Sequence, residues 1–174
     1  MELKPESAIA ACGYVSRPGE YSGLPGNTAY AGSIYDTANG VLVVDGTIDP
    51  GTGLLSEPVK LTFESGKITK IEGGRQAEEF RKWIDSFNDS YMYYFDHIGV
   101  GFNPNAKLES SAGIGERVLG YVEVGIGLLL GKAHSGKPNM VAKSHTDCII
   151  ISPSLYLDGE RILENRKFIH PSFP

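Results

Sequence analysis

Pro58-Val59-Lys60-Leu61-Thr62-Phe63-Glu64-Ser65-Gly66-Lys67-Ile68-Thr69-Lys70-Ile71-Glu72 is the stretch on which the fold turns. Val59, Leu61 and Phe63 alternate with polar neighbours, the period of a strand with one apolar face. Glu64-Ser65-Gly66-Lys67 is a tight hairpin connection. Ile68 to Glu72 returns as a second strand, with Ile68 and Ile71 out of strict alternation by one residue. A bulge or twist is expected there. Upstream, Gly40-Val41-Leu42-Val43-Val44-Asp45-Gly46 is a short apolar strand closed by a turn, and Asp49-Pro50-Gly51-Thr52-Gly53 is a further turn. The three strands make a meander, which needs a second layer to bury its apolar face. Residues 76–87 supply one. Phe80, Trp83, Ile84 and Phe87 recur at spacings of three and four, a helical stripe, with Glu78 and Glu79 near the dipole-positive start.

Outward from this unit the chain stays β-rich. Residues 91–100 are apolar and aromatic and read as a buried strand, ended by the turn at Asn103-Pro104-Asn105. Residues 115–120 read as a helical turn leading into a strand over 121–130. Residues 145–151 form another strand, and 155–163 a hairpin about Asp158-Gly159. The expected fold is a single α+β domain, mostly antiparallel β-sheet, with one or two covering helices. Residues 1–26, broken by Pro5, Pro18, Gly19, Gly23, Pro25 and Gly26, are an irregular opening segment. Residues 27–168 are the β-rich core. The chain from Lys167 on reads as loosely held, 169–174 being its tail.

Composition narrows the function classes. With 41% hydrophobic and 21% charged residues in 174, the chain has the make-up of one globular domain. A net charge of -5 without a basic block argues against nucleic acid. No apolar run approaches the ~20 residues of a membrane helix. Met1-Glu2-Leu3-Lys4-Pro5-Glu6 has neither the basic start nor the apolar core of a secretory signal, so a cytoplasmic protein is expected. Cys12 and Cys148 form no C-x-x-C pair and suggest reduced thiols.

His145 and Asp147 share one face of their strand, and Cys148 points to the other. Imidazole and carboxylate both bind zinc or iron. Tyr121, Glu123, Gly125 and Gly127 make one face of the preceding strand. If the two strands are neighbours, Glu123, His145 and Asp147 offer three metal ligands with an open position; otherwise they are a hydrogen-bonded polar triplet. His97 either joins the same cleft or caps its strand end, and His134 lies in the glycine-flanked segment 131–136. Gly125-Ile126-Gly127 lacks the third glycine and helix of a dinucleotide loop. Ser135 has no arranged base.

Five motifs occur in a recognisable order: Gly23-Leu24-Pro25-Gly26-Asn27, Gly40 to Gly46, Gly99-Val100-Gly101-Phe102-Asn103-Pro104-Asn105-Ala106, Glu116-Arg117-Val118-Leu119-Gly120 and Ser144-His145-Thr146-Asp147. The series resembles the C-terminal region of the thermophilic aminopeptidases (aminopeptidase T and its leucyl aminopeptidase relatives) and the related 2,5-dihydroxypyridine dioxygenases, over about residues 13–168. The resemblance implies metal chemistry, with two metals in the aminopeptidases and one ferrous iron in the dioxygenases. It makes His145 and Asp147 ligands in both branches. It also implies a histidine ligand at the position of Glu123 in the dioxygenases. It puts Asn27 and Tyr121 where the aminopeptidases carry metal-binding glutamates, and His97 where they often carry glutamate. Those enzymes have a further N-terminal domain, so a more open cleft is expected here.

With ligands of the two-metal site replaced, the sequence favours a non-catalytic peptide-binding protein of aminopeptidase-like fold, without cofactor. It would present an extended precursor peptide to a partner enzyme in a biosynthetic pathway, through an exposed strand edge, as a homodimer. The alternative is a mononuclear hydrolase or dioxygenase using Glu123, His145 and Asp147 to hold zinc or ferrous iron.

Overall fold

The computed structural model describes residues 1–20, 22–109, 111–129 and 140–173. In chain order the strands are β1 (Ile9–Ala11), β2 (Thr28–Gly32), β3 (Gly40–Val44), β4 (Thr47–Asp49), β5 (Gly53–Leu54), β6 (Val59–Glu64), β7 (Lys67–Glu72), β8 (Phe95–Gly101), β9 (Val122–Ile126), β10 (Thr146–Ile150), β11 (Ser154–Leu157), β12 (Glu160–Glu164) and β13 (Lys167–Phe168). The helices are α1 (Arg75–Ser86) and the single turn α2 (Ala112–Gly115). An antiparallel seven-stranded sheet runs β1-β2-β8-β9-β10-β4-β5. The meander β3-β6-β7 and the small sheet β11-β12-β13 complete the fold. The mostly antiparallel α+β architecture is the expected one.

Alternation decides what is buried. Val59, Leu61 and Phe63 of β6 face inward, as do Ile68 and Ile71 of β7. Both isoleucines reach the core because Thr69 is an extra residue in the β6–β7 ladder: Phe63 pairs with Ile68 and Thr62 with Lys70. Ala77, Phe80 and Ile84 of α1 lie over β6 and β7. Trp83 is half-buried and stacks on Phe80, 6.1 Å between centroids. The same core takes Val122, Val124 and Ile126 of β9 and Cys148 of β10. One face of the seven-stranded sheet is therefore used up in packing; the other is covered at Ile149 by Ala112, Val118 and Tyr121, and carries polar groups beside that patch.

Several local expectations change. Residues 1–26 contain a strand, β1, held on β2 with Ile9 opposite Tyr30. Thr47–Asp49 and Gly53–Leu54 are paired strands flanking the expected turn, and they belong to the large sheet. Residues 91–93 are not strand: Ser90–Tyr93 is a 3-10 turn capped by Asp89, whose side chain accepts from the Tyr91 amide at 3.0 Å. The helical turn comes earlier than expected, at Ala112–Gly115. The C-terminal residues are held: Lys167–Phe168 pairs with β12, and Phe168 stacks on Phe102 (4.8 Å) and Phe173 (4.7 Å). The two-residue turn Asp158-Gly159, with φ of 52° and 85°, is the expected hairpin connection.

Candidate metal centre

The centre of the opposite sheet face is a row across three strands: His97 on β8 lies opposite Gly125 on β9, which lies opposite Asp147 on β10. Strand parity puts Glu123 two residues along β9 on the same face, and His145 sits just before β10 beside Asp147. The sequence expectation that Glu123, His145 and Asp147 adjoin one another depends on β9 and β10 being neighbours, and they are. His97, from β8, comes to the same place. His145 Nε2 lies 2.9 Å from Asp147 Oδ1, and His97 Nε2 lies 2.9 Å from Glu123 Oε1 and 3.9 Å from Asp147 Oδ1. The two imidazoles are stacked, with centroids 5.2 Å apart and planes 11° from parallel.

Two glycines make this packing possible. A Cβ on Gly125 would stand 2.8 Å from His145 Cε1, and nearer still to the His97 ring. A Cβ on Gly99 would stand 2.8 Å from Glu123 Oε2 and 3.3 Å from Tyr30 Cβ. The floor of the site is thus bare backbone, with two imidazoles and a carboxylate lying across it. Burial is graded: Glu123 is 2% exposed and His97 7%, while the Asp147 side chain keeps 24%. Solvent therefore meets the cluster at Asp147.

Electrostatics bind the groups together. Burial works against charge on His97. The hydrogen bonds with Asp96 and Glu123 and the charges of Glu123 and Asp147 outweigh it, and push its pKa up to about 10. His145 is likewise raised against its burial, through Asp147 and the Gly127 carbonyl. Glu123 is raised by burial and by Asp147, against His97. Burial would raise Asp147 as well, but its bond to His145 and the charges of both histidines hold it low. In the metal-free cluster the surrounding carboxylates thus favour the charged form of both imidazoles.

His97, Glu123 and Asp147 offer ligand atoms within 4.8 Å of one another, and so do Asp96, His97 and His145. Ligand atoms ~2.0–2.2 Å from one cation at tetrahedral or octahedral angles are roughly 2.8–3.6 Å apart. The 2.9 Å separations fall within that range and the 3.9 Å one lies just beyond it. Cys148 is on the core face, so the donors are nitrogen and oxygen alone. Two imidazoles and a carboxylate with an open side is the donor set of non-haem ferrous oxygenases, and zinc accepts the same atoms. A divalent cation would supply the positive charge that the carboxylates around the imidazoles favour. The residues fit a metal.

The remaining candidate residues lie elsewhere. Tyr121 packs with Ala112, Val118 and Ile149, and Arg166 lies 4.7 Å from its ring centroid. Asn27, at φ 76°, serves the turn into β2: its amide donates to Ala11 and its carbonyl accepts from Phe102. His134 is outside the described residues. Sequence reading did not single out Asp96, Gly99 or Gly125 for the site. The signal for Gly125 was present in the run Glu123-Val124-Gly125-Ile126-Gly127, where the face bearing Glu123 otherwise carries only glycine.

Fold and site together define an aminopeptidase T-type sheet with a metal-competent cluster at its centre. The solved structure of wild-type AmpT from Thermus thermophilus has this fold: TM-score 0.59, 16% identity, covering 84% of this chain and 40% of that one. More specifically, the chain belongs to the NicX family, 2,5-dihydroxypyridine 5,6-dioxygenase, whose sequence pattern matches residues 1–170. The 2,5-dihydroxypyridine 5,6-dioxygenase of Pseudomonas putida (strain KT2440) is 35% identical over 102 residues, 58% of this chain and 29% of that protein. The solved structure of 2,5-dihydroxypyridine dioxygenase from Pseudomonas putida KT2440 matches with TM-score 0.80 and 27% identity, over 95% of this chain and 50% of that one. The chain thus spans half or less of the length of these relatives. Family membership corrects the expectation of a non-catalytic peptide binder, since the family and the Pseudomonas putida enzyme are 2,5-dihydroxypyridine dioxygenases. The replaced two-metal ligands had pointed away from catalysis, but a one-metal site needs none of them. Among the described residues no helix is long and apolar enough to cross a membrane.

Proposed function

We propose that this chain carries the metal-binding half-site of a ring-cleaving dioxygenase acting on a hydroxylated pyridine, with His97, His145 and Asp147 as ligands of one ferrous ion. The observation that carries it is the convergence of both imidazole Nε2 atoms and the Asp147 carboxylate around Gly125, with the open side at Asp147. Ferrous iron, when bound, supplies the one-electron chemistry that lets dioxygen react with a closed-shell aromatic ring. Zinc would fit the same donors but could not do this.

The chain's own residues bind, orient and move protons. His145 Nδ1 donates to the Gly127 carbonyl at 2.6 Å. A carbonyl only accepts, so Nδ1 carries a proton, and Nε2, which faces Asp147 Oδ1, is the atom that would give its lone pair to the cation once its own proton is displaced. Glu123 would serve as the proton acceptor rather than as a ligand: its Oε1 lies beside His97 Nε2, and a carboxyl raised by burial is a stronger base than a solvated one. It would take the proton of a substrate hydroxyl bound at the open side. Tyr30, with its ring centroid 5.7 Å from that of His97, flanks the same place.

The test is anaerobic loading with ferrous ion, then addition of 2,5-dihydroxypyridine and oxygen, following ring absorbance and oxygen uptake. One iron per chain and stoichiometric oxygen consumption, both lost in His145→Ala, are expected. A chain that binds no iron refutes the metal assignment. One that binds iron but leaves ring and oxygen untouched refutes the dioxygenase assignment.

A further inference from the structure

In an ordinary strand Asp96 and His97 would point to opposite faces of the sheet. They do not, because the β8–β9 ladder slips at this point. Phe95 pairs with Ile126 and His97 with Gly125, so two steps along β8 answer one along β9 and Asp96 is the extra residue. The bulge lets the Asp96 carboxylate turn back to its neighbour: Oδ2 lies 3.1 Å from His97 Nδ1, and Oδ1 accepts the Leu129 amide at 3.3 Å. The Asp96 carbonyl accepts from the Ser33 amide (2.8 Å) and hydroxyl (3.2 Å), which pins the bulge to the end of β2. Asp96 is 0% exposed.

We propose that the β8 bulge makes Asp96 the positioning residue of the metal centre: it fixes the proton of His97 on Nδ1 and aims Nε2 at the cation. This rests on the metal assignment above. The second imidazole has a matching arrangement, with the Gly127 carbonyl behind His145 Nδ1. Each histidine thus has an acceptor at its back, and the two Nε2 atoms face the carboxylates of Glu123 and Asp147. A histidine ligand backed by a carboxylate is held in one tautomer and orientation and is the more basic for it. Asp96, His97 and His145 also lie close enough to be considered as ligands on the Nδ1 side. Full burial of Asp96 leaves a cation there no open position, whereas the Nε2 side opens at Asp147.

Zinc, being diamagnetic, is the probe. Its affinity is measured by chelator competition for the wild-type chain and Asp96→Asn, with apo melting temperatures alongside. Weakening of roughly 10–100-fold in Asp96→Asn, with an apo melting point near wild type, is the expected result. Equal affinities within twofold overturn the role of Asp96 and leave the metal assignment standing. A wild-type chain that binds neither zinc nor ferrous ion ends both. If Asp96→Asn does not fold, nitrogen-15 histidine NMR of the zinc-loaded wild type decides. His97 must show a protonated Nδ1 and a metal-bound Nε2, and metal on Nδ1 overturns the proposal.

Discussion

Gly125→Ala is the sharpest perturbation of this site, because it adds one methyl group beneath both imidazoles. The new Cβ would stand 2.8 Å from His145 Cε1, where ordinary contact begins at 3.4 Å, so that ring must retreat by about 0.6 Å. The His97 ring starts closer and must move further. Metal constellations tolerate displacements of only about 0.5 Å, and an error of ~1 Å costs on the order of 100-fold. Zinc or ferrous affinity should therefore fall by roughly 10–100-fold. The fold should survive: Gly125 has a backbone conformation open to alanine, and the crowding is with two side chains, so overpacking should cost about 1–3 kcal/mol. Chelator competition gives the affinity and apo thermal melting the stability. Gly99→Ala is the control, since its Cβ would meet Glu123 Oε2 and Tyr30 instead of the imidazoles. It should disturb metal affinity much less if Glu123 is a base and not a ligand. Wild-type affinity in a folded Gly125→Ala chain would refute the claim that the bare floor at this position sets the ligand geometry.

Other outcomes follow from the same structure. Because His97 and His145 are both raised in the metal-free fold, their stabilisation is complete below about pH 6.5 and fades as pH climbs, through about 10 for His97. Melting in chelator should fall over that range, whereas metal affinity should rise with pH, and calorimetry in buffers of different ionisation enthalpy should show protons released on binding. Asp147→Asn removes the carboxylate between the two imidazoles and should abolish stoichiometric iron; full retention by metal analysis would exclude Asp147 as a ligand. Phe80→Ala empties the contact of α1 with the core and should cost about 3–5 kcal/mol by denaturant melting. Only Cys12 should react with a thiol reagent in the native chain. Cys148 is 0% exposed and its thiol is raised well above its ordinary value by burial, so it should appear only on unfolding.

Local pattern determined much of this protein. The alternation of Val59, Leu61 and Phe63, the stripe Phe80-Trp83-Ile84-Phe87 and the Asp158-Gly159 turn each specify their element through neighbours in the chain, with no need of distant contacts. His145 and Asp147 share a face because strand periodicity alone puts them there, and their motif in its ordered series carried the family resemblance. Tertiary structure decided what those elements form together. His97 lies 48 positions before His145 in the numbering, and it reaches the site only because β8 pairs with β9 and β9 with β10. Gly125 became the floor, and Asp96 the support of His97, through a single slipped residue in the β8–β9 ladder. Strand pairing and register are set by burial of the whole apolar face, and a slip of one residue reverses which side a group occupies. That reversal leaves no mark in the local sequence, so the candidate metal centre was visible from the chain only in part.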